Sequence, residues 1–236
     1  MTTTTRPSVD DRDDTQTRVR EAALDLFARQ GFAATGIRQI AEAVGVTSAA
    51  LYHYMGTKEE LLAGLAREAN ARMLRIARSA LAGAESPESR LVTLVRAHVV
   101  AHVMNQREAL VIDNELRSLS RKHRRAVVAI RDAYEELWRQ TLHDGAETGV
   151  FTMIDQRTTR LALLEMCTGV AHWFDPMGGL TPTALAGQFA DLALACVRAR
   201  RGSRSLALAQ IASPTDAVIL QVVLDAASAV PTDGER

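Results

Sequence analysis

Apolar residues recur along this chain at helical spacing and almost nowhere at the alternating spacing of a strand. Val19, Ala22, Ala23, Leu26 and Phe27 share one face of a helix that Gly31 stops. Ile37, Ile40, Ala41 and Val44 mark a short second helix, with Thr35 placed to cap it and Gly45 to end it. A third helix is expected over roughly 48–54, anchored inward by Leu51, with Ser48, Ala49, Ala50, Tyr52 and His53 facing outward. Thr57 and Glu60 have the spacing of a capping box, which opens a fourth helix running to about residue 82.

Beyond Gly83 the helices lengthen. Ser86-Pro87 opens one that runs to about residue 104, since proline suits the first helical position. Others are expected over about 107–119, 121–148, 156–174 (capped by Asp155) and 182–201 (opened by Thr181-Pro182). The predicted fold is all-α: a three-helix helix-turn-helix domain over 15–60, its fourth helix a connector, then a helical domain over 83–202. Residues 1–14, rich in Thr and Asp without periodicity, read as a disordered arm. Residues 203–236 read as a tail in which Ser213-Pro214-Thr215-Asp216 starts one further helix.

Composition changes this picture little. The 236-residue chain has 28 basic and 28 acidic residues, so bulk charge argues for no partner. Across 15–58 Arg18, Arg20, Arg29, Arg38 and Lys58 face Glu21, Asp25 and Glu42, a mild basic excess. Cys167 and Cys196 fall on separate predicted helices and suit reduced thiols. Neither a signal-type apolar core nor a spanning run is evident, so a cytoplasmic protein away from membranes is expected. No nucleophile motif, phosphate loop or cofactor fingerprint appears, so neither catalysis nor a cofactor is expected.

The third helix suits a DNA groove. Small or hydrogen-bonding side chains at its start, Thr47, Ser48, Ala49 and Ala50, allow close approach, and alanine methyls can meet thymine methyls. Tyr52, Tyr54 and Lys58 are long enough for flanking phosphates, although Lys58 equally fits a solvated helix start. Thr35 and the amides opening the second helix offer a phosphate clamp. Arg38, on the outer face of that helix, suits either a phosphate or solvent.

The ordered set Leu26-Phe27, Gly31-Phe32, Thr35, Ile37, Ile40-Ala41, Val44-Gly45-Val46, Leu51-Tyr52-His53-Tyr54-Met55, Lys58-Glu59 and Leu61-Leu62 resembles the N-terminal signature of the TetR/AcrR regulators. Gly36 departs from it, standing where a Thr or Ser is usual. The resemblance implies a homodimeric DNA-binding repressor on a palindromic double-stranded operator. Its contacts would fall on Thr35, Gly36, Arg38, Thr47, Ser48, Ala49, Ala50, Tyr52, His53, Tyr54 and Lys58.

The resemblance also implies a small-molecule effector and a dimer interface in the C-terminal domain. Apolar faces at 156–174 and 182–201 predict that interface on Leu161, Leu164, Cys167, Phe174, Leu185, Phe189, Leu192 and Cys196. The predicted effector-lining residues are His98, His102, Met104, Leu110, Leu137, Trp138, Met166, Val170 and Trp173, suited to a mostly apolar molecule. The turn His172–Thr181 is similar to one in family members that control lipid or steroid catabolism, implying an acyl-CoA-type effector. His98 and His102, four residues apart, also have metal-ligand spacing, with Asp113 or Glu115 to complete a set; a metal-responsive regulator and a metal-dependent enzyme are the alternatives. The run Arg121–Arg125 fits a solvated helix end, an anionic effector or the DNA-facing field.

Overall fold

A computed structural model describes residues 9–228, with side chains from residue 14 onward. The described residues are helical apart from short turns and one small hairpin. They form two compact units: the chain up to Arg67 with Leu110–Val127, and Glu68–Ala109 with Val128 onward.

In the first unit α1 (Val9–Ala34) packs on α2 (Ile37–Val44) and α3 (Ser48–Met55). Its core gathers Val19, Ala23, Phe27, Ile40, Val44, Leu51, Met55 and Leu62, the last from the opening turns of α4 (Lys58–Ala80). The spaced apolar positions of the sequence are thus its interior. Val111, Leu119 and Val127, from the far side of the sequence, complete it. They come from α6 (Gln106–Glu115), from the residue that closes a 3₁₀ turn Leu116–Ser118 and from the start of α7 (Arg121–Glu147).

Helix ends depart from expectation in instructive ways. The arm expected over 1–14 lies outside the described residues for 1–8, while Val9–Asp14 are the first turns of α1. Gly31 interrupts α1 as expected, its backbone non-helical at φ 81° and ψ 159°, and residues 32–34 follow beyond the kink. Thr35 does not cap α2: Gly36 is the N-cap, and the Gln39 Oε1 accepts its amide at 2.8 Å. Gly45 ends α2 left-handed at φ 76°, and the Val46 amide reaches back to the Ala41 carbonyl. Thr57 and Glu60 close the expected capping box.

The second unit is built around α5 (Pro87–Met104), buried on nearly every side between Leu91 and Val103. A helix apolar all round belongs in an interior. Packed on it are α8 (Gln156–Thr168), α9 (Val170–Trp173), α10 (Pro182–Cys196) and α11 (Asp216–Ser228). The helix expected over 156–174 breaks at Gly169, where the His172 amide pairs three residues back, with the Gly169 carbonyl. Similarly, α10 stops at Cys196 rather than near residue 201, and the chain then forms a hairpin of β1 (Arg200–Arg201) and β2 (Arg204–Ser205).

Residues 203–228 are no free tail. Ile219 and Val223 are buried in the second unit's core, and the buried Arg96 guanidinium donates to the Pro214 carbonyl and the Asp216 carboxylate. The Ser89 hydroxyl donates to the Ala212 carbonyl at 2.6 Å. Alternation fails to announce the hairpin because each strand is two residues long, below the length that carries a period. None of the described helices is long and apolar enough to cross a membrane.

Candidate nucleic-acid interface and helical-domain site

The third helix exposes Ala49, Tyr52 and His53 of the five residues expected outward. Thr47 is its N-cap, accepting the Ala50 amide on Oγ1 at 3.1 Å, and Leu51 and Met55 pin the opposite side into the core. That anchoring leaves Thr47, Ala49, Tyr52 and His53 exposed, with Ser48, Ala50 and Tyr54 partly covered. Arg38 and Gly36 are exposed on α2. Arg18, which sequence reasoning passed over, donates to the Val44 carbonyl at 2.7 Å and so holds the end of α2 against α1.

Two residues expected at phosphates have other partners. Thr35 is buried, its hydroxyl donating to the Gly31 carbonyl at 2.8 Å. Lys58 Nζ lies over the Phe32 ring and donates to the carbonyls of Phe32 and Thr35, both at 2.7 Å. It thereby adds a donor at the end of α1, where the Phe32 carbonyl otherwise has the Thr35 amide at 3.3 Å. The Gly36 amide is likewise engaged by Gln39, and Gln30 donates to both Gln39 and Thr35. Only the spacing of Gln39 three residues past Gly36 could have signalled this.

Two carboxylates tie Leu110–Val127 into the same unit. Glu115 Oε1 accepts the Phe32 amide at 3.0 Å, and Glu59 Oε1 accepts the Ser120 amide and the His123 Nδ1, each at 2.8 Å. Hydrogen bonds from Ser120, and then from His123, hold the Glu59 carboxyl down at about 2. The basic run at 121–125 is partly consumed here: Arg124 donates to the carbonyls of Arg117 and Leu119.

Within the second unit, the structure brings His98, His102, Trp138, Val170, Met166 and Leu137 into or against one core. His98 is buried and bridges two hydroxyls, Tyr134 at 2.7 Å from Nδ1 and Thr168 at 3.1 Å from Nε2. A neutral imidazole, with one donor and one acceptor nitrogen, satisfies both. His102 stacks on it, ring centroids 4.0 Å apart, and its Nδ1 meets the His98 carbonyl at 3.1 Å. Burial pushes both imidazoles toward the neutral form, His98 well below its ordinary range and His102 to about 4. Burial also raises the Tyr134 hydroxyl, and lifts the Cys167 thiol to about 12. Tyr134 lies within the influence of the buried Trp138 Nε1, which makes no well-formed hydrogen bond.

Tyr134 and Thr168 were missed by sequence reasoning. The available signal was Tyr134 four residues before Trp138, on the same helix face. The histidine nitrogens are thus largely committed to protein groups, and no group of three His, Cys, Asp or Glu able to hold a metal occurs among the described residues. Leu110 belongs to the first unit, while Met104 and Trp173 are exposed, the Trp173 ring stacked 6.1 Å from Phe189. Leu164, Cys167, Phe174, Leu185 and Phe189 pack into the core of the second unit. Leu161, Leu192 and Cys196 face outward. The apolar faces read as one surface therefore divide, because α5 takes the inner half of each.

A small three-helix unit that presents a capped, core-anchored helix, joined to a larger all-helical unit, defines the helix-turn-helix class of DNA-binding transcription regulators. Residues 19–65 match the family described as bacterial regulatory proteins, tetR family, and residues 84–197 the tetracyclin repressor-like C-terminal domain. This chain belongs to the TetR family. It is 27% identical over 199 residues to the HTH-type transcriptional repressor KstR2 of Rhodococcus jostii (strain RHA1), spanning 80% of this chain and 96% of that protein. A tetR-family regulatory protein from Rhodococcus RHA1 superposes with a TM-score of 0.74 at 30% identity, over 79% of this chain and 98% of that one. The TetR-family regulator PfmR of Thermus thermophilus gives 0.69 at 32% identity, over 75% and 97%.

Proposed function

We propose that this protein is a repressor that binds a palindromic operator as a homodimer and is released when a mostly apolar small molecule enters its helical domain. The presentation of α3 carries this reading. Its start is exposed, small and capped, so its backbone can come close to base edges, while Leu51 and Met55 fix its direction. Ala49 favours methyl contact over long polar readout, and Tyr52 and Arg38 serve the flanking phosphates. Because Thr35 and Lys58 are engaged within the protein, they act by shaping the corner that α2 and α3 share.

Dimerisation through α8 and α10 is supported by Leu161, Trp173 and Leu192, which are 42%, 56% and 49% exposed on or beside those helices. Large apolar side chains exposed together mark a surface that another chain covers. For the effector, the core around His98, His102 and Trp138 supplies uncharged polar groups in an apolar setting, which fits a ligand without buried charge at that end. Release requires that the ligand bind the DNA-free arrangement more tightly than the DNA-bound one. Acyl-CoA-type molecules are the first effectors to test.

The test is a gel-shift titration of the full chain on duplexes from its own upstream region and on scrambled duplexes, across salt concentrations. We expect preference for one palindromic segment and a steep loss of affinity with salt. Arg38→Ala should lower the logarithmic salt slope by about one. Equal affinity for upstream and scrambled duplexes would overturn the reading.

A further inference from the structure

At the end of α10 lies a groove of about 810 Å³ that the DNA- and effector-binding readings do not use. Leu194, Ala195, Ala199 and Leu206 floor it, Thr152 and Ser205 bring hydroxyls, and Arg198 and Arg200 bring charge. Its walls are hydrogen-bonded in place. Thr152 N donates to the Val197 carbonyl, Arg200 N to Val150 and Leu206 N to Ala199, each at 2.9 Å. The one acid lining it, Asp191, is engaged by the Leu208 amide at 2.7 Å. The family match to the C-terminal domain ends at residue 197, and the arginine wall follows directly after it.

This wall is built against local preference in two places. The backbone ends α10 with the Arg198 amide on the Ala195 carbonyl and the Ala199 amide on the Leu194 carbonyl, a closure whose left-handed position normally falls to glycine. Here that position is Arg198, at φ 49°, the sole non-glycine residue with positive φ among the described residues. An L side chain is disfavoured there, and such strain collects at sites where a side chain must be held in place. In the hairpin, Arg201 sits directly opposite Arg204, a like-charge pairing that weakens a sheet. Residues 198–205 carry Arg198, Arg200, Arg201 and Arg204 with no acid among them, and Glu88 neutralises only Arg201.

We propose that this groove binds a phosphorylated amphiphile: a phosphomonoester on Arg198 and Arg200, with its apolar portion along Leu194, Ala195 and Leu206. Forked guanidinium donors match the several acceptor oxygens of a phosphate dianion, and the two hydroxyls complete its coordination. The apolar floor separates such a ligand from free phosphate.

Calorimetry on the full chain with hexyl phosphate, inorganic phosphate and hexanol tests this. Saturable binding of hexyl phosphate at one site per chain is expected, at least about tenfold tighter than either fragment. Arg198→Gly is the informative variant: glycine fits the left-handed position, so its melting temperature should equal or exceed the native one while hexyl phosphate binds at least about tenfold more weakly. Arg200→Gln should weaken binding likewise, and Arg139→Gln should not. The proposal is overturned by an absence of saturable binding, or by native affinity in Arg198→Gly. It is equally overturned if phosphatidic acid vesicles capture the protein while hexyl phosphate does not bind, since the surface would then be a membrane contact.

Discussion

The stacked histidines make stability a function of pH in a window few other groups share. His102 has a folded-state value of about 4 against an ordinary 6.5, so between these limits the unfolded chain holds a proton that the folded chain does not. Stability is then fully present above about pH 6.5 and falls as the pH drops toward 4. For this one group the loss between about pH 7.5 and pH 5 works out at about 2 kcal/mol. His98, depressed further by burial and by the neighbouring imidazole and Arg131, adds to it in the same direction. Carboxylates such as Glu59, held at about 2, lose their contribution only at lower pH, so they leave this window clear.

Urea unfolding at about pH 7.5, 6.5, 5.5 and 5.0 reads the effect directly. The native chain should lose at least about 2 kcal/mol across the series. His102→Gln should lose about that much less, since the glutamine cannot titrate and keeps a donor for the His98 carbonyl. Identical pH slopes in native and His102→Gln protein would refute the reasoning, because the imidazole would then be proton-accessible in the folded state.

Two further predictions follow from the packing. Lys58→Met should cost about 1 kcal/mol in urea unfolding by leaving the Phe32 and Thr35 carbonyls to water, and leave the salt slope of operator binding unchanged. A slope reduced by about one unit at native stability would instead make Lys58 a phosphate contact. Gly145→Ala pits a helix-propensity gain of about 1 kcal/mol against overpacking of about 1–3 kcal/mol. A Cβ there would meet the buried Phe151 ring well inside van der Waals distance, so a lower melting temperature is expected, and an unchanged or raised one would contradict the packing.

Periodicity reached far in this protein because its helices are amphipathic and well punctuated. The faces of α1, α2 and α3, the Thr57–Glu60 box, the Ser86-Pro87, Asp155 and Thr181-Pro182 starts, and the helix opening near Asp216 are all local features, and local chemistry decides them. The outward set on α3 follows for the same reason, since once Leu51 is inward its neighbours have no freedom of direction. What lay beyond the sequence depends on partners distant along it. Thr35 and Lys58 suit phosphates in the sequence, Lys58 equally a solvated helix start. In the folded chain their side chains also bond to carbonyls at the end of α1. Leu164, Cys167, Phe174 and Leu185 read as part of a dimer face, and in the folded chain they lie in the core of the second unit. The apolar period of a helix says that a face is buried and is silent about whether its own subunit or a second one buries it. Hydrogen-bond demand and competition for apolar surface, settled only when the chain is folded, divided those roles.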